Sequence, residues 1–119
     1  MSFTVKAINV GQYVMVMHEG HLIKKEFEEA RLIVKRMLDE NNWNKLLIDV
    51  RNAVDRVPVA EVYYVMKTIS TALPFIKIAL LFPPERREEG EFAETVAMNR
   101  GVRLKYFLDY GEAAAWLAE

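Results

Sequence analysis

An acid stands inside an otherwise apolar run in Leu46-Leu47-Ile48-Asp49-Val50-Arg51. A carboxylate carried into a core must reach a partner or the end of its strand. Arg51, two positions on and therefore on the same face of an extended chain, is the partner at hand. Asp49 reads more readily as an anchor that holds the following loop by its backbone N–H groups than as a catalytic acid, because a shifted acid needs a substrate pocket before it becomes an active site. Asn52 and Arg56 follow in the same loop, and Arg86-Arg87 opens a later helix. Arginines set before helix N-termini can hold a carboxylate or phosphate with paired N–H donors. The plainer alternative is ordinary surface ion pairing, which contributes little. Asp49, Arg51, Asn52, Arg56, Arg86, Arg87, His18 and His21 form the candidate ligand-binding set.

His18-Glu19-Gly20-His21 offers two imidazoles, but zinc needs a third ligand and the helical His-Glu-x-x-His spacing is absent. No metal or cofactor is expected, and the two rings read as solvent-facing or locally hydrogen-bonded. Nucleophilic catalysis has little to work with: Ser2 is terminal, Ser70 falls inside a predicted helix, and neither a Gly-x-Ser-x-Gly turn nor a glycine-rich phosphate loop occurs. No catalytic residue is assigned, and the chain is read as non-enzymatic. Tyr63, Tyr64, Met66, Met15, Met17, Phe75 and Trp116 could line an apolar cavity, although such residues more often form core.

These residues must be positioned by one α/β domain spanning 1–119. The 119-residue chain has 16 basic and 17 acidic side chains, so no global field draws in nucleic acid. Cysteine is absent, which removes disulfides and thiolate chemistry. The N-terminal segment lacks the character of a secretion signal and no apolar stretch spans a bilayer, so a cytoplasmic location is expected. Val5 to Asn9 and Tyr13 to His18 read as a hairpin around Val10-Gly11-Gln12. From Leu22 to Asn41 apolar residues recur at helical spacing, with Phe27, Ala30, Val34, Met37 and Leu38 on one face. The run 46–50 reads as a buried strand. Pro58 opens a second helix with Val59, Val62, Met66, Ile69 and Leu73 as its apolar stripe, and Pro74 lies just past it. Residues 76–82 form another strand, 85–100 a helix capped by Gly101, 103–108 an edge strand and 111–118 a last helix. Helices between successive strands require a mainly parallel five-stranded sheet with four main helices, the first strand alone antiparallel. Leu47, Ile48, Val62, Ile78 and Leu80 are expected to be buried.

That order, the strand closing in Leu47-Ile48-Asp49-Val50-Arg51, and the C-terminal run from Tyr106 through Asp109-Tyr110-Gly111-Glu112 to Trp116-Leu117 resemble the SpoIIAA-like group of the STAS superfamily, a group also compared with CRAL-TRIO domains. The resemblance implies a β-α superhelix with helices gathered on one side and a binding site at the loop before the second helix. Antagonists of anti-sigma factors in that family carry a phosphorylatable Ser or Thr there. The corresponding Val54-Asp55-Arg56-Val57-Pro58 has no hydroxyl, and no Ser or Thr occurs between Thr4 and Thr68.

The function expected is therefore a regulatory STAS-like module that binds a protein partner or an anionic small ligand at the carboxyl pole of the sheet. The alternative is a carrier of a lipid or other apolar molecule of CRAL-TRIO-like type. A large cavity would favour the carrier and a packed core the module. A sheet with helices on one side leaves its other apolar face uncovered, which predicts a homodimer.

Overall fold

The computed structural model describes residues 2–73 and 75–119, with the backbone alone for Ser70. Strands β1 (Phe3–Ile8) and β2 (Tyr13–Gly20) form the hairpin, turned by Gly11 and Gln12 at positive φ. Helix α1 (Lys24–Asn41) begins two residues later than its periodicity suggests, after extended backbone at Ile23, and the Asp55 carboxylate accepts the Leu22 N–H just before it at 2.8 Å. It stops where Asn42 turns left-handed at φ 57°. Then follow β3 (Lys45–Ala53), α2 (Val59–Ala72), β4 (Lys77–Leu81), a 3-10 turn (Pro84–Arg86) running into α3 (Arg87–Asn99), β5 (Arg103–Phe107) and α4 (Tyr110–Ala118). Pro74 lies outside the described residues.

One sheet holds all five strands in the order β1-β2-β3-β4-β5. Only β1 against β2 is antiparallel, and Leu46 pairs in parallel with both Val14 and Ile78. The fold is the mixed, mainly parallel α/β arrangement with four helices that the sequence predicts.

The layers depart from the expectation. Helices α1, α2 and α3 cover one face, where Ala30, Val34 and Leu38 meet Val14, Val16, Leu46, Ile78 and Val96. Helix α4 covers the other, packing Ala113 and Leu117 on Leu47, Ala79, Leu81 and Phe107. Its start is capped by Asp109, which accepts from the Glu112 N–H at 2.9 Å, and the Lys77 ammonium donates to the carbonyls of Trp116 and Glu119 at its end. Beyond α4 that face carries exposed Thr4, Lys6, Arg103 and Lys105, with Ile8 and Met17 partly buried. Helix α4 thus covers much of the face on whose exposure the expectation of a homodimer rested.

Leu47, Ile78 and Leu80 are buried as expected, but Ile48 and Val62 are only partly so. Both border an unfilled space under α2. Met66 is the fully buried residue α2 contributes among those described, and Val59, expected in its inward stripe, is half exposed.

Candidate functional site

The carboxyl ends of the strands divide the candidate residues between the two faces. On the α4 face, Asp49 is 3 % exposed and accepts from Arg51 three times: from Nε (3.0 Å), from Nη2 (2.9 Å) and from the backbone N–H (3.0 Å). The ion pair read from the sequence is present, but the one backbone N–H that Asp49 accepts belongs to Arg51 within β3 and not to the loop beyond it. Hydrogen bonding to Asp49 raises the Arg51 pKa further, with Asp109 and Tyr110 adding to it. Beside them the Tyr13 and Tyr110 hydroxyls share a hydrogen bond that ties the start of α4 to β2. Burial, then that bond, pushes the Tyr13 pKa up, so the phenol stays protonated.

On the opposite face the remaining arginines and histidines do separate things. Arg86 donates from Nε to Glu89 (2.8 Å) and from Nη1 to the carbonyl of Ala53 (2.8 Å), while Glu89 accepts the Val57 N–H at 3.0 Å. This clamp fixes the β3–α2 loop to the start of α3. His21 faces Asp55 at 3.2 Å on the surface. His18 is turned inward, 7 % exposed, with its ring 4.9 Å from that of Phe27. It makes no hydrogen bond among the described residues, and burial lowers its pKa, with Glu26 partly opposing. The two histidines therefore do not converge, and His18 is neither solvent-facing nor hydrogen-bonded. Asn52 borders a shallow hollow with Glu19, Gly20 and His21. Arg56 and Arg87 are exposed and make no ion pair among the described residues. The eight candidates thus lie at one pole without forming one pocket.

The apolar cavity for which the sequence offered candidates lies at α2, and of the residues named for it Met66 is the one in its lining. An apolar cavity of about 90 Å³ separates this helix from the sheet, walled by Phe27, Ile48, Val62, Met66 and Leu80, with His18 also in its lining. Arg31 and Glu61 border the cavity and are joined by an ion pair. Arg31, Val34 and Ile69 also line a larger groove between α1 and α2, where the Arg31 guanidinium lies 4.4 Å over the ring of Tyr64. The outer side of the same region is apolar and open: Val54 is 65 %, Val59 50 % and Tyr63 43 % exposed.

No family model and no curated protein matches the chain. Among solved structures, it is similar to an uncharacterized protein of the DUF3478 family with a SpoIIAA-like fold from Shewanella loihica PV-4, at 16 % identity, a TM-score of 0.67, and coverage of 97 % of this chain and 91 % of that one. No helix among the described residues is long and apolar enough to cross a membrane. The five-stranded mixed sheet with its four helices is a SpoIIAA-like fold.

Proposed function

We propose that residues 1–119 act as a non-enzymatic, cytoplasmic regulatory module of STAS-like type that docks a protein partner through the β3–α2 loop and the outer face of α2. The observation that carries this reading is the set of exposed side chains Val54, Val59 and Tyr63 on the same loop and helix as Arg56, an exposed arginine that makes no ion pair among the described residues. Apolar and aromatic anchors beside arginine are what dense protein contacts are built from. A partner surface with apolar side chains and a carboxylate for Arg56 fits it. Among the other arginines of the pole, Arg51 and Arg86 are held by Asp49 and Glu89, which favours a protein partner over a small anion. The loop has no hydroxyl to phosphorylate, so the contact is constitutive.

A photo-crosslinker at position 63 should capture a defined partner that the same group at position 105, on the α4 side, does not. Val59→Asp should weaken that partner's binding at least tenfold with the melting temperature unchanged. Equal capture from both positions, or indifference to the substitution, would remove the assignment.

A second reading, a binder of an apolar small molecule, draws on the apolar space beneath α2, which at about 90 Å³ is well short of the large cavity expected of a lipid carrier.

A further inference from the structure

The cavity and the ion pair at its border together define a ligand more narrowly than either alone. We infer that the space beneath α2 binds a small monocarboxylic acid with a compact apolar body, which lies among Phe27, Ile48, Val62 and Met66 while its carboxylate replaces that of Glu61 on Arg31. This rests on the small-molecule reading and adds the charge.

Arg31 is the hinge of the argument. Arg31, with Val34 and Ile69, lines both the space under α2 and the neighbouring groove between α1 and α2, so the two adjoin along this residue. Its present partner is another carboxylate, and the ring of Tyr64 backs the guanidinium from one side. A planar guanidinium binds an incoming carboxylate with the same paired geometry. The exchange leaves the charge count at the border unchanged once Glu61 turns into the groove.

The interior sets the rest of the molecule. Its lining is apolar apart from the Arg31–Glu61 pair and His18, which burial keeps neutral, so a charged or strongly hydrated tail is excluded from the apolar interior. Its volume, about 90 Å³, is below the roughly 150 Å³ of an apolar cavity known to take benzene, so the apolar body must be compact. Helix α2 bounds the space with Met66 as its fully buried residue, so modest outward movement can admit the ligand.

Isovalerate and its uncharged isostere isovaleramide are suitable probes, titrated into the ¹⁵N-labelled 119-residue chain. Isovalerate should shift the amide signals of Phe27, Arg31, Val62 and Met66 saturably, and isovaleramide should bind at least tenfold more weakly. Arg31→Met should weaken isovalerate at least tenfold, whereas Glu61→Gln, which removes the competing carboxylate, should tighten it several-fold. Should Arg31→Met fail to fold, Glu61→Gln decides, and no tightening overturns the proposal. Equal binding of acid and amide overturns the carboxylate assignment while leaving an apolar-ligand site. Absence of any shift at the cavity with either probe removes both.

Discussion

Gly90 of α3 lies so close to Tyr106 of β5 that a Cβ built on it would sit 2.6 Å from the ring's Cγ and 2.7 Å from Cδ2. The helix rides directly on the edge strand at this point, and the glycine provides the clearance for that approach. The same ring's backbone N–H is taken by Glu94 at 2.8 Å, which blunts an edge amide that would otherwise be free to pair with another chain.

Gly90→Ala should therefore destabilise the chain despite alanine's better helix propensity. Overpacking costs about 1–3 kcal/mol, against a propensity gain of about 0.5–1 kcal/mol. Chemical denaturation should show a net loss of about 1–2 kcal/mol, partly restored by Tyr106→Leu, which clears the ring.

Removal of the Arg51 side chain should also be measurable. Asp49 would keep one backbone donor but lose both side-chain donors while remaining buried. Because Arg51 itself is partly exposed, the cost is discounted from that of a fully buried pair, to about 1–3 kcal/mol for Arg51→Ala. Urea unfolding that matches the wild-type midpoint would contradict a stabilising role for the ion pair.

The parts of this fold that could be read in the sequence are those set by short-range geometry. The stripe of α1 and the continuous strand at 46–50 follow from side-chain period, and the Asp49–Arg51 pair follows because positions two apart share a strand face. The assignment of α4 to the second face does not follow in the same way, since Ala113 and Leu117 would suit either side. The Tyr13–Tyr110 bond joins residues 97 apart and becomes visible only when β2 and α4 meet. Glu89 stands in the first turn of α3, where any acid suits the helix dipole, and nothing local marks it as the buried acceptor that holds Val57 and Arg86. The cavity depends on how far α2 stands from the sheet, a distance that no local pattern encodes. His18 illustrates the same limit, because its neighbours Glu19 and Gly20 signal a turn while its own ring packs against Phe27.

Burial of His18 makes stability depend on pH in a definite direction. Its folded pKa is lowered, chiefly by desolvation. Between that value and the unfolded one, about 6.5, the unfolded chain binds the proton and the folded chain does not. Stability is then complete above about 6.5 and declines as pH falls through the window, levelling off below the folded pKa. Denaturation midpoints of wild type and His18→Phe, compared from neutral to mildly acidic pH, should diverge, with the wild type losing more. Parallel curves would mean that the ring titrates normally.

The last expectation concerns α4, because a fold with three helices on one face relies on this short element to cover the other. Tyr13, Met15, Leu47, Ala79, Leu81 and Phe107 form the apolar layer beneath or beside it. Ending the chain at Leu108 would remove the cap at Asp109, the Tyr110 hydroxyl and both anchoring side chains, Ala113 and Leu117, together with the acceptors of Lys77. It would uncover an apolar sheet face and leave the Lys77 ammonium without the carbonyls that satisfy it, a combination that drives association. The 119-residue chain should sediment at micromolar concentration as a monomer, and the truncated chain as dimers or larger species. A monomeric, fully folded truncation would show that the second face does not need α4, and a dimeric full-length chain would show that α4 does not suffice.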